Sequence, residues 1–188
     1  GEGQIVDSTM VDGALSLMSF FYSLKEMGHW DDQRESNLLD GHAHFYDTYK
    51  CADNKYIAIG SIEPKFYKEL LDKLEIDDRR FLDQYNKDLW PELKNLIASK
   101  VLLKTRSEWE DIFSGTDACV TPVLDMSEAQ QNIHNLKRNA FTDVDGFNQP
   151  SASPRYSVTK PEIKHNAKQV GTDLDQVCNE FGLSKAAF

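Results

Sequence analysis

The chain has 188 residues and a formal net charge of −10, with 21 Lys and Arg against 31 Asp and Glu. A chain of this length can bury a core of its own, so it is not a small disulfide scaffold. Its acidic surface repels phosphate backbones and anionic lipid, so nucleic acid is not an expected partner. The three cysteines, Cys51, Cys119 and Cys178, are far apart and show no CxxC spacing, as expected of reduced thiols inside a cell.

The first predicted element is a single helix over residues 10–27 that ends near Gly28. Thr9 and Asp12 have the spacing of a capping box, and apolar residues fall on nearly every side of the helix. The stretch is too short for a membrane span, which needs about 20 apolar residues, so we expect a soluble, intracellular protein. Because a helix that is apolar all round must be covered on all sides, we expect it to pack against protein outside this chain or against a second copy.

A hairpin and a proline-initiated helix are predicted after a polar connector over residues 29–41. Residues 45–51 and 56–60 are rich in aromatic and β-branched side chains and flank four turn-forming residues, which predicts two antiparallel strands. Pro64 then falls in the first turn of a helical pattern, where its missing N–H costs nothing. Glu63 is therefore expected at or beside the N-cap of that helix.

The rest of the chain is predicted as short helices, one strand and a long irregular stretch. Helices are predicted over 89–100 and 107–113, and the second is capped by Ser107 and closed by Gly115. A strand follows over 118–124, confined to a sheet edge by Pro122, and a short helix begins at Ser127. Residues 138–166 are predicted as extended or loop structure, and a last helix over 170–181 is capped by Gly182. Together with the hairpin, these elements indicate the α/β class.

Two sets of reactive side chains have a simpler structural interpretation. His42 and His44 would share one face of a strand, but no third ligand follows at a suitable spacing, so we interpret them as loop or strand-start residues and expect no metal site. Cys119 has no helix start or basic partner nearby that would activate a thiol, so we expect it to be a core residue.

Glu63 is the residue whose placement points most directly to function. It lies between the second predicted strand and Pro64, so its carboxylate meets the N-terminus of a helix, which orients it. Glu is not among the favoured capping residues, which are Ser, Thr, Asp and Asn. The residues alone leave open whether Glu63 caps the helix or takes part in a reaction.

Four segments, taken in order, resemble one family. They are Gly3-Gln4-Ile5-Val6-Asp7 with Met10-Val11-Asp12-Gly13, Leu39-Asp40-Gly41 with Phe45-Tyr46-Asp47-Thr48-Tyr49, Gly60-Ser61-Ile62-Glu63-Pro64-Lys65-Phe66-Tyr67, and Gly115-Thr116-Asp117-Ala118-Cys119-Val120-Thr121-Pro122-Val123. Together they resemble the α-methylacyl-CoA racemases of the family III CoA-transferase (CaiB/BaiF) superfamily. The resemblance is most specific at Ile62-Glu63-Pro64 and least specific over residues 138–157.

The resemblance implies that the chain is the C-terminal half of a longer protein. Family members have a large, Rossmann-like α/β domain and a small domain inserted into it through two linkers. This implies a linker helix and connector over residues 1–40, a small α+β domain with a β-hairpin and several helices over 41–132, and a return linker with the C-terminal segment of the large domain over 133–188. It also implies a homodimer with intertwined subunits.

The resemblance further implies a set of site residues. Glu63 matches a glutamate expected near the catalytic histidine across the dimer interface, while that histidine and a catalytic aspartate belong to the missing half. The residues matched to the acyl side of the cleft are Leu38, Leu39, Tyr46, Ile62 and Pro64. Racemases usually have Gly-Ala-Pro after Leu-Asp-Gly, whereas this chain has His42-Ala43-His44, which would alter the pocket rim and the acyl specificity. No metal or separate cofactor is implied, because coenzyme A is part of the substrate.

The leading prediction is an acyl-CoA racemase of lipid metabolism that inverts the α-carbon of 2-methylacyl-CoA thioesters, with this chain inactive alone. Two alternatives are a CoA-transferase of the same superfamily and a non-catalytic dimerisation module in which Glu63 is only a helix cap. A transferase would typically have a glycine-rich loop near Gly60, which Ile62-Glu63-Pro64 argues against. The expected compartment is the cytoplasm in a bacterium, or a mitochondrion or peroxisome in a eukaryote.

Overall fold

The computed structural model describes residues 2–184 of the chain, and these form two compact units that divide between Val123 and Leu124. The first unit contains, in chain order, α1 (Met10–Leu17), α2 (Ser19–Glu26), β1 (Tyr46–Lys50), β2 (Tyr56–Gly60), α3 (Pro64–Lys73), a 3-10 turn (Arg79–Leu82), α4 (Trp90–Val101), α5 (Arg106–Phe113) and β3 (Val120–Pro122). The second contains α6 (Met126–Gln131), α7 (Ile133–Lys137), β4 (Phe141–Val144), β5 (Phe147–Pro150) and α8 (Leu174–Phe181). The predicted small α+β architecture with a hairpin is confirmed, whereas the three-part division at residues 40 and 132 stays a prediction.

The sheet of the first unit has the order β1-β2-β3, and both pairs of neighbouring strands are antiparallel. β1 and β2 form the predicted hairpin, with Asn54 in the left-handed conformation (φ 64°) at the turn, where Asn is well tolerated. β3 is the predicted edge strand, and Pro122 pairs with Ile57 at its end. An edge position suits proline because it cannot donate a hydrogen bond to a further strand.

The core lies on one face of this sheet. Ile57 and Ile59 of β2 point into it and are buried, as the period of two along a strand requires. Leu70 of α3 and Leu93 and Ile97 of α4 are fully buried in the same apolar cluster. The sheet is thus packed on one side against α4 and α5, and α3 contributes Leu70 to the same apolar cluster.

His44 is the polar residue at the centre of an aromatic cluster in this core. It is fully buried, and its ring lies 5.0 to 5.6 Å from the rings of Phe45, Tyr67 and Phe81. Its Nε2 is 2.7 Å from the Tyr67 hydroxyl oxygen, and its main-chain carbonyl accepts a 2.6 Å hydrogen bond from Tyr49. Nδ1 has no hydrogen-bond partner among residues 2–184. Burial without a compensating charge lowers the pKa of His44 to about 4.

The N-terminal apolar segment forms two helices, so the prediction of one helix over residues 10–27 is wrong. The chain departs from helical geometry at Met18, where the Ser19 hydroxyl donates a 2.7 Å hydrogen bond to the Ser16 carbonyl. Such back-bonding from serine competes with the helical hydrogen bonds and bends helices. The predicted cap is present, because the Thr9 hydroxyl accepts from the Asp12 N–H. Neither helix buries any of its residues within the part of the chain described.

The helices α5 and α8 were both predicted, but each begins at a different residue from the one predicted. α5 begins with a capping box of Thr105 and Glu108, so the predicted cap at Ser107 is wrong and Ser107 lies inside the first turn. α8 begins at Leu174 rather than at residue 170, and it ends as predicted at Gly182, which adopts the left-handed conformation (φ 64°) of a C-cap.

The stretch predicted as extended or loop over 138–166 contains a hairpin that the sequence interpretation did not separate. β4 and β5 are antiparallel, and Asp145 and Gly146 between them both have positive φ, as a type I′ turn requires. The Asp-Gly pair is the local signal that predicts this turn. The short helix α7 was also not predicted, although Asn132 caps it by accepting from the His134 N–H.

Two general expectations can be compared with this structure. No helix within residues 2–184 has the length and apolarity needed to cross a bilayer. Cys51, Cys119 and Cys178 are free cysteines, and the expectation of an intracellular compartment stays a prediction.

Lowering the pH from about 6.5 to 4 is expected to destabilise the folded chain through His44. The folded pKa is about 4, whereas an unfolded histidine has a pKa of 6.5. Below pH 6.5 the unfolded state therefore binds a proton that the folded state excludes. The free energy of unfolding should decrease toward pH 4 by on the order of 3 kcal/mol and then receive no further change from this group. Denaturant titrations at stepped pH measure the effect.

A His44→Gln variant keeps an amide that can hydrogen-bond to Tyr67 but does not titrate. Between pH 6.5 and 4, its free energy of unfolding should decrease by about 3 kcal/mol less than that of the unsubstituted chain. His134→Gln, at an exposed position, is the matched control and should follow the unsubstituted chain. If His44→Gln shows the same pH dependence as the unsubstituted chain, another group is responsible.

Candidate functional site

The candidate site is built around the turn from β2 to α3, where Glu63 occupies the N-cap position. Its backbone is extended (φ −74°, ψ 141°), and Pro64 follows in the first turn, as predicted. The carboxylate makes no capping hydrogen bond to the helix. The side chain is exposed and has no hydrogen-bond or ion-pair partner among residues 2–184. Glu63 is therefore placed like a cap but does not act as one.

Segments that are distant in sequence hold this turn in place. The Ser61 N–H donates to the Phe45 carbonyl at 3.0 Å, and the Ser61 hydroxyl donates to the Ala118 carbonyl at 2.5 Å. Ser61 is fully buried. The Gly60 N–H donates to the Cys119 carbonyl at 2.9 Å. The turn is thus attached to the segment before β1 and to the segment before β3.

The outer face of the sheet, opposite the core, forms an open groove of about 440 Å³. Its lining comes from the connector, from the hairpin and from β3, namely Leu39, Asp40, Gly41, Tyr46, Asp47, Thr48, Ala58, Ile59, Gly60, Cys119 and Thr121. The floor is concave because β2 presents small residues outward, with Ala58 and Gly60 alternating with the buried isoleucines. Tyr46 pairs with Gly60 across the hairpin and forms a wall.

Two carboxylates lie on the rim of this groove. Burial acts to raise the pKa of Asp40, but hydrogen bonds to its carboxylate outweigh this effect and lower the pKa overall. These bonds come from the side chain and main chain of Asn37 and from the main chain of Ser36 and His42. Asp47 forms a salt bridge with Lys94 of α4. Both carboxylates are thus held in place by other parts of the protein, and the charge of Asp47 is balanced by that of Lys94.

Cys119 is exposed and lines the groove, so its prediction as a core residue is wrong. Its backbone has a positive φ of 55°, which turns the chain so that the neighbouring Ala118, fully buried, fills the core position. Desolvation, then the charges of Glu63, Asp117 and Glu69, raise the pKa of the Cys119 thiol. Gly60, which also lines the groove, precedes Glu63 by three residues along the chain.

The two histidines predicted as loop or strand-start residues both lie in the turn before β1. His42 is half-buried with its ring 5.4 Å from that of Trp90, whereas His44 is buried against Tyr67. No group of three or more His, Cys, Asp or Glu side chains suited to a metal ion was found in residues 2–184. His44 therefore lies in the core and not at the rim of a pocket, which corrects the expectation that both histidines alter the rim.

The structure brings together only some of the residues that the resemblance implies for the acyl side of the cleft. Leu39 and Tyr46 line the groove, whereas Leu38 joins Leu39 in a second, mostly apolar cavity of about 310 Å³ beside Trp90. Ile62 packs against the core and Pro64 is exposed at the start of α3. The roles of these five residues and of Glu63 remain predictions.

The sequence patterns did not identify Gln84, a residue that holds the turn between β2 and α3. Gln84 is buried, and its Nε2 donates to the carbonyl oxygens of both Ser61 and Ile62. No local motif marks it, since it lies in an irregular segment after the 3-10 turn. Its only signal in the sequence is a polar amide between Phe81 and Trp90, which are both core residues.

Comparisons with known proteins agree on one family. CoA-transferase family III matches residues 1–174. The alpha-methylacyl-CoA racemase of Mus musculus is 42% identical over 188 residues and the one of Homo sapiens is 38% identical, each alignment covering 98% of this chain and 49% of the relative. A crystal structure of Rv3272 from Mycobacterium tuberculosis matches 90% of this chain and 44% of its own with a TM-score of 0.67 at 16% identity, which supports the fold.

This chain belongs to CoA-transferase family III. It spans about half the length of the curated relatives it matches. The resemblance found in the Ile62-Glu63-Pro64 segment and in the segments around it is therefore confirmed at the level of the family.

Replacing Ser61 by Ala is expected to destabilise the turn. The Ala118 carbonyl would lose its donor in a buried environment, so the free energy of unfolding should fall by about 1–3 kcal/mol. Ser99→Ala is the matched control, because the exposed Ser99 hydroxyl donates only to the Asn95 carbonyl on the surface of α4. It should change the unfolding free energy by less than about 0.5 kcal/mol. Equal effects of the two substitutions, measured by denaturant unfolding, would contradict this account of the turn.

Proposed function

We propose that this chain is the C-terminal part of an acyl-CoA racemase that inverts the α-carbon of 2-methylacyl-CoA thioesters. The observation that carries the proposal is the match of 98% of the chain to two proteins named alpha-methylacyl-CoA racemase, at 42% and 38% identity. The exposed carboxylate of Glu63, which has no hydrogen-bond or ion-pair partner within residues 2–184 and follows the groove strand β2, supports it. In this proposal, the chain alone does not catalyse turnover.

The reaction requires acid–base groups on both faces of the substrate. One group removes the α-proton, the enolate oxygen is stabilised while the carbon is planar, and a second group returns a proton to the opposite face. The thioester bond stays intact, and no electrons are exchanged with another molecule. One carboxylate cannot perform both steps, so the groups that exchange the proton would lie in the other half of the protein.

The role proposed for Glu63 is to hold and polarise a histidine contributed by that other half. A carboxylate that accepts a hydrogen bond from an imidazole fixes its tautomer and stabilises its protonated form. Glu63 is available for such a bond because its side chain is exposed and has no partner within residues 2–184. The phosphates of coenzyme A would be bound outside this chain, whose net charge of −10 repels them.

Acyl specificity would depend on the groove and its rim. Leu39 and Tyr46 lie where the acyl side of the substrate is proposed to bind. Of the two histidines that distinguish this chain from the usual Gly-Ala-Pro, only His42 is partly accessible, because His44 is buried in the core. His42 does not line the groove itself, so any effect on acyl specificity would act through its contact with Trp90.

Glu63→Gln in the full-length protein is expected to slow exchange of the α-proton of a 2-methylacyl-CoA in deuterated water by about 10- to 100-fold. The amide keeps the size of the side chain but removes the charge that would stabilise a protonated histidine. Glu110→Gln, at an exposed position on α5, removes the same charge away from the turn and should leave the rate unchanged. Exchange is followed by loss of the α-proton signal in NMR spectra.

The same assay distinguishes the alternatives. A CoA-transferase is the second candidate, because the matching family is named for that activity. It would move the acyl group between CoA donors and would give no α-proton exchange. A non-catalytic module would give neither reaction. Equal exchange rates in the Glu63→Gln and unsubstituted proteins would disprove the proposed role of Glu63 but not racemisation itself.

We further propose that the whole protein is a homodimer with intertwined subunits and that α1 and α2 are covered in it. Met10, Leu17 and Phe20 are 92%, 83% and 57% exposed, and no residue of either helix is buried. Contiguous apolar surface of this kind marks contact sites.

The 188-residue chain is expected to self-associate through these helices. Sedimentation velocity should show species larger than the 21.5 kDa monomer. The double substitution Val11→Glu and Phe20→Glu should shift the chain toward the monomer by placing charge on the apolar faces. Leu82→Glu, at an exposed apolar position outside α1 and α2, is the control and should not. A monomeric unsubstituted chain would contradict the expectation.

A further inference from the structure

We propose that Gln84 is a positioning residue that aims the Glu63 carboxylate, an inference that rests on the function proposed for Glu63. Gln84 lies between the 3-10 turn and α4 and is only 7% exposed. It does not line the groove, so it would act on the reaction through the turn that carries Glu63.

One amide group of Gln84 satisfies the two carbonyls that precede Glu63. Nε2 donates to the Ser61 oxygen at 3.1 Å and to the Ile62 oxygen at 2.9 Å. The neighbouring Tyr85 hydroxyl donates to the same Ile62 oxygen at 2.8 Å. These bonds set the planes of two consecutive peptide groups, and the second of these groups joins Ile62 directly to Glu63.

The direction of Glu63 depends on these peptide planes because no hydrogen bond or ion pair within residues 2–184 holds its side chain. A change in the backbone at Ile62 would therefore move the carboxylate without meeting resistance from another contact. Displacing a group that takes part in proton transfer by about 1 Å can lower a rate as much as 100-fold.

Gln84 is itself fixed to the core. The indole Nε1 of Trp90 donates to the Gln84 carbonyl at 2.7 Å, and Trp90 is 2% exposed at the start of α4. The opposite side of the turn is fixed by Ser61, through Phe45 and Ala118. Contacts on two sides thus define the geometry of the turn, and Gln84 provides the connection to α4.

A Gln84→Met substitution in the full-length protein tests the inference, since Met has similar length and no amide donor. The kcat for α-proton exchange should fall about tenfold, while the KM for the acyl-CoA changes less than about twofold. Tyr85→Phe removes one of two donors to the Ile62 oxygen and should lower kcat by a smaller factor. Gln131→Met, at the exposed end of α6, is the matched control and should have unchanged kinetics.

The decisive measurement repeats Gln84→Met in the Glu63→Gln background. If Gln84 acts through Glu63, the second substitution should lower kcat no further, because the carboxylate being aimed is already absent. A residue that only stabilises the fold would lower the amount of folded protein equally in both backgrounds and leave kcat per folded molecule unchanged. If Gln84→Met does not fold, Tyr85→Phe is used for the same comparison.

The outcomes separate this inference from the proposed function. Full exchange activity in Glu63→Gln removes the role of Glu63 and, with it, the role of Gln84. A slow Glu63→Gln protein with multiplicative effects of the two substitutions retains the role of Glu63 and overturns the positioning role of Gln84. A slow Glu63→Gln protein in which Gln84→Met has no further effect supports both.

Discussion

The first unit depends on the alternation of side chains along β2. Ile57 and Ile59 point to one face and are buried in the core, whereas Ala58 and Gly60 point to the other face and form the groove floor. The same strand ends three residues before Glu63. A slip of one residue in its register would place isoleucine in the groove and glycine in the core. Core packing, groove shape and the position of the candidate carboxylate are therefore set by one strand register.

Two features of the first unit remain without partners within the described residues. One is the carboxylate of Glu63, and the other is the set of highly exposed apolar side chains on α1, among them Met10, Val11 and Leu17. A carboxylate in water costs nothing, but an extended apolar surface does, so the second feature is the stronger physical argument for an additional protein contact. The relatives, about twice as long as this chain, contain sequence that could supply both contacts.

Local chemistry accounts for what the sequence predicts well. Pro64 starts α3 and Gly182 ends α8 because each residue has a conformational property that applies wherever it occurs. Cys119 was misplaced because a positive φ at a residue other than glycine is set by its tertiary surroundings. The hydrogen-bond partners of the His44 and Gln84 side chains lie 22 or 23 residues away in the sequence, and no periodicity encodes such pairs. The position of Glu63 at the strand-to-helix turn was thus predictable, but the hydrogen bonds that support this turn were not.

At Gly60, a larger side chain can be compatible with the fold and still take up space in the groove. A methyl group built there would lie 3.7 Å from the Tyr46 ring and 3.8 Å from the Cys119 carbonyl, which are ordinary van der Waals distances. Alanine would therefore be accepted without strain, and a screen that selects for expression or solubility would classify the position as neutral. The added methyl would nevertheless occupy the floor of the groove. If the groove binds the acyl group as proposed, only a selection that scores a bound molecule would detect the constraint on this glycine.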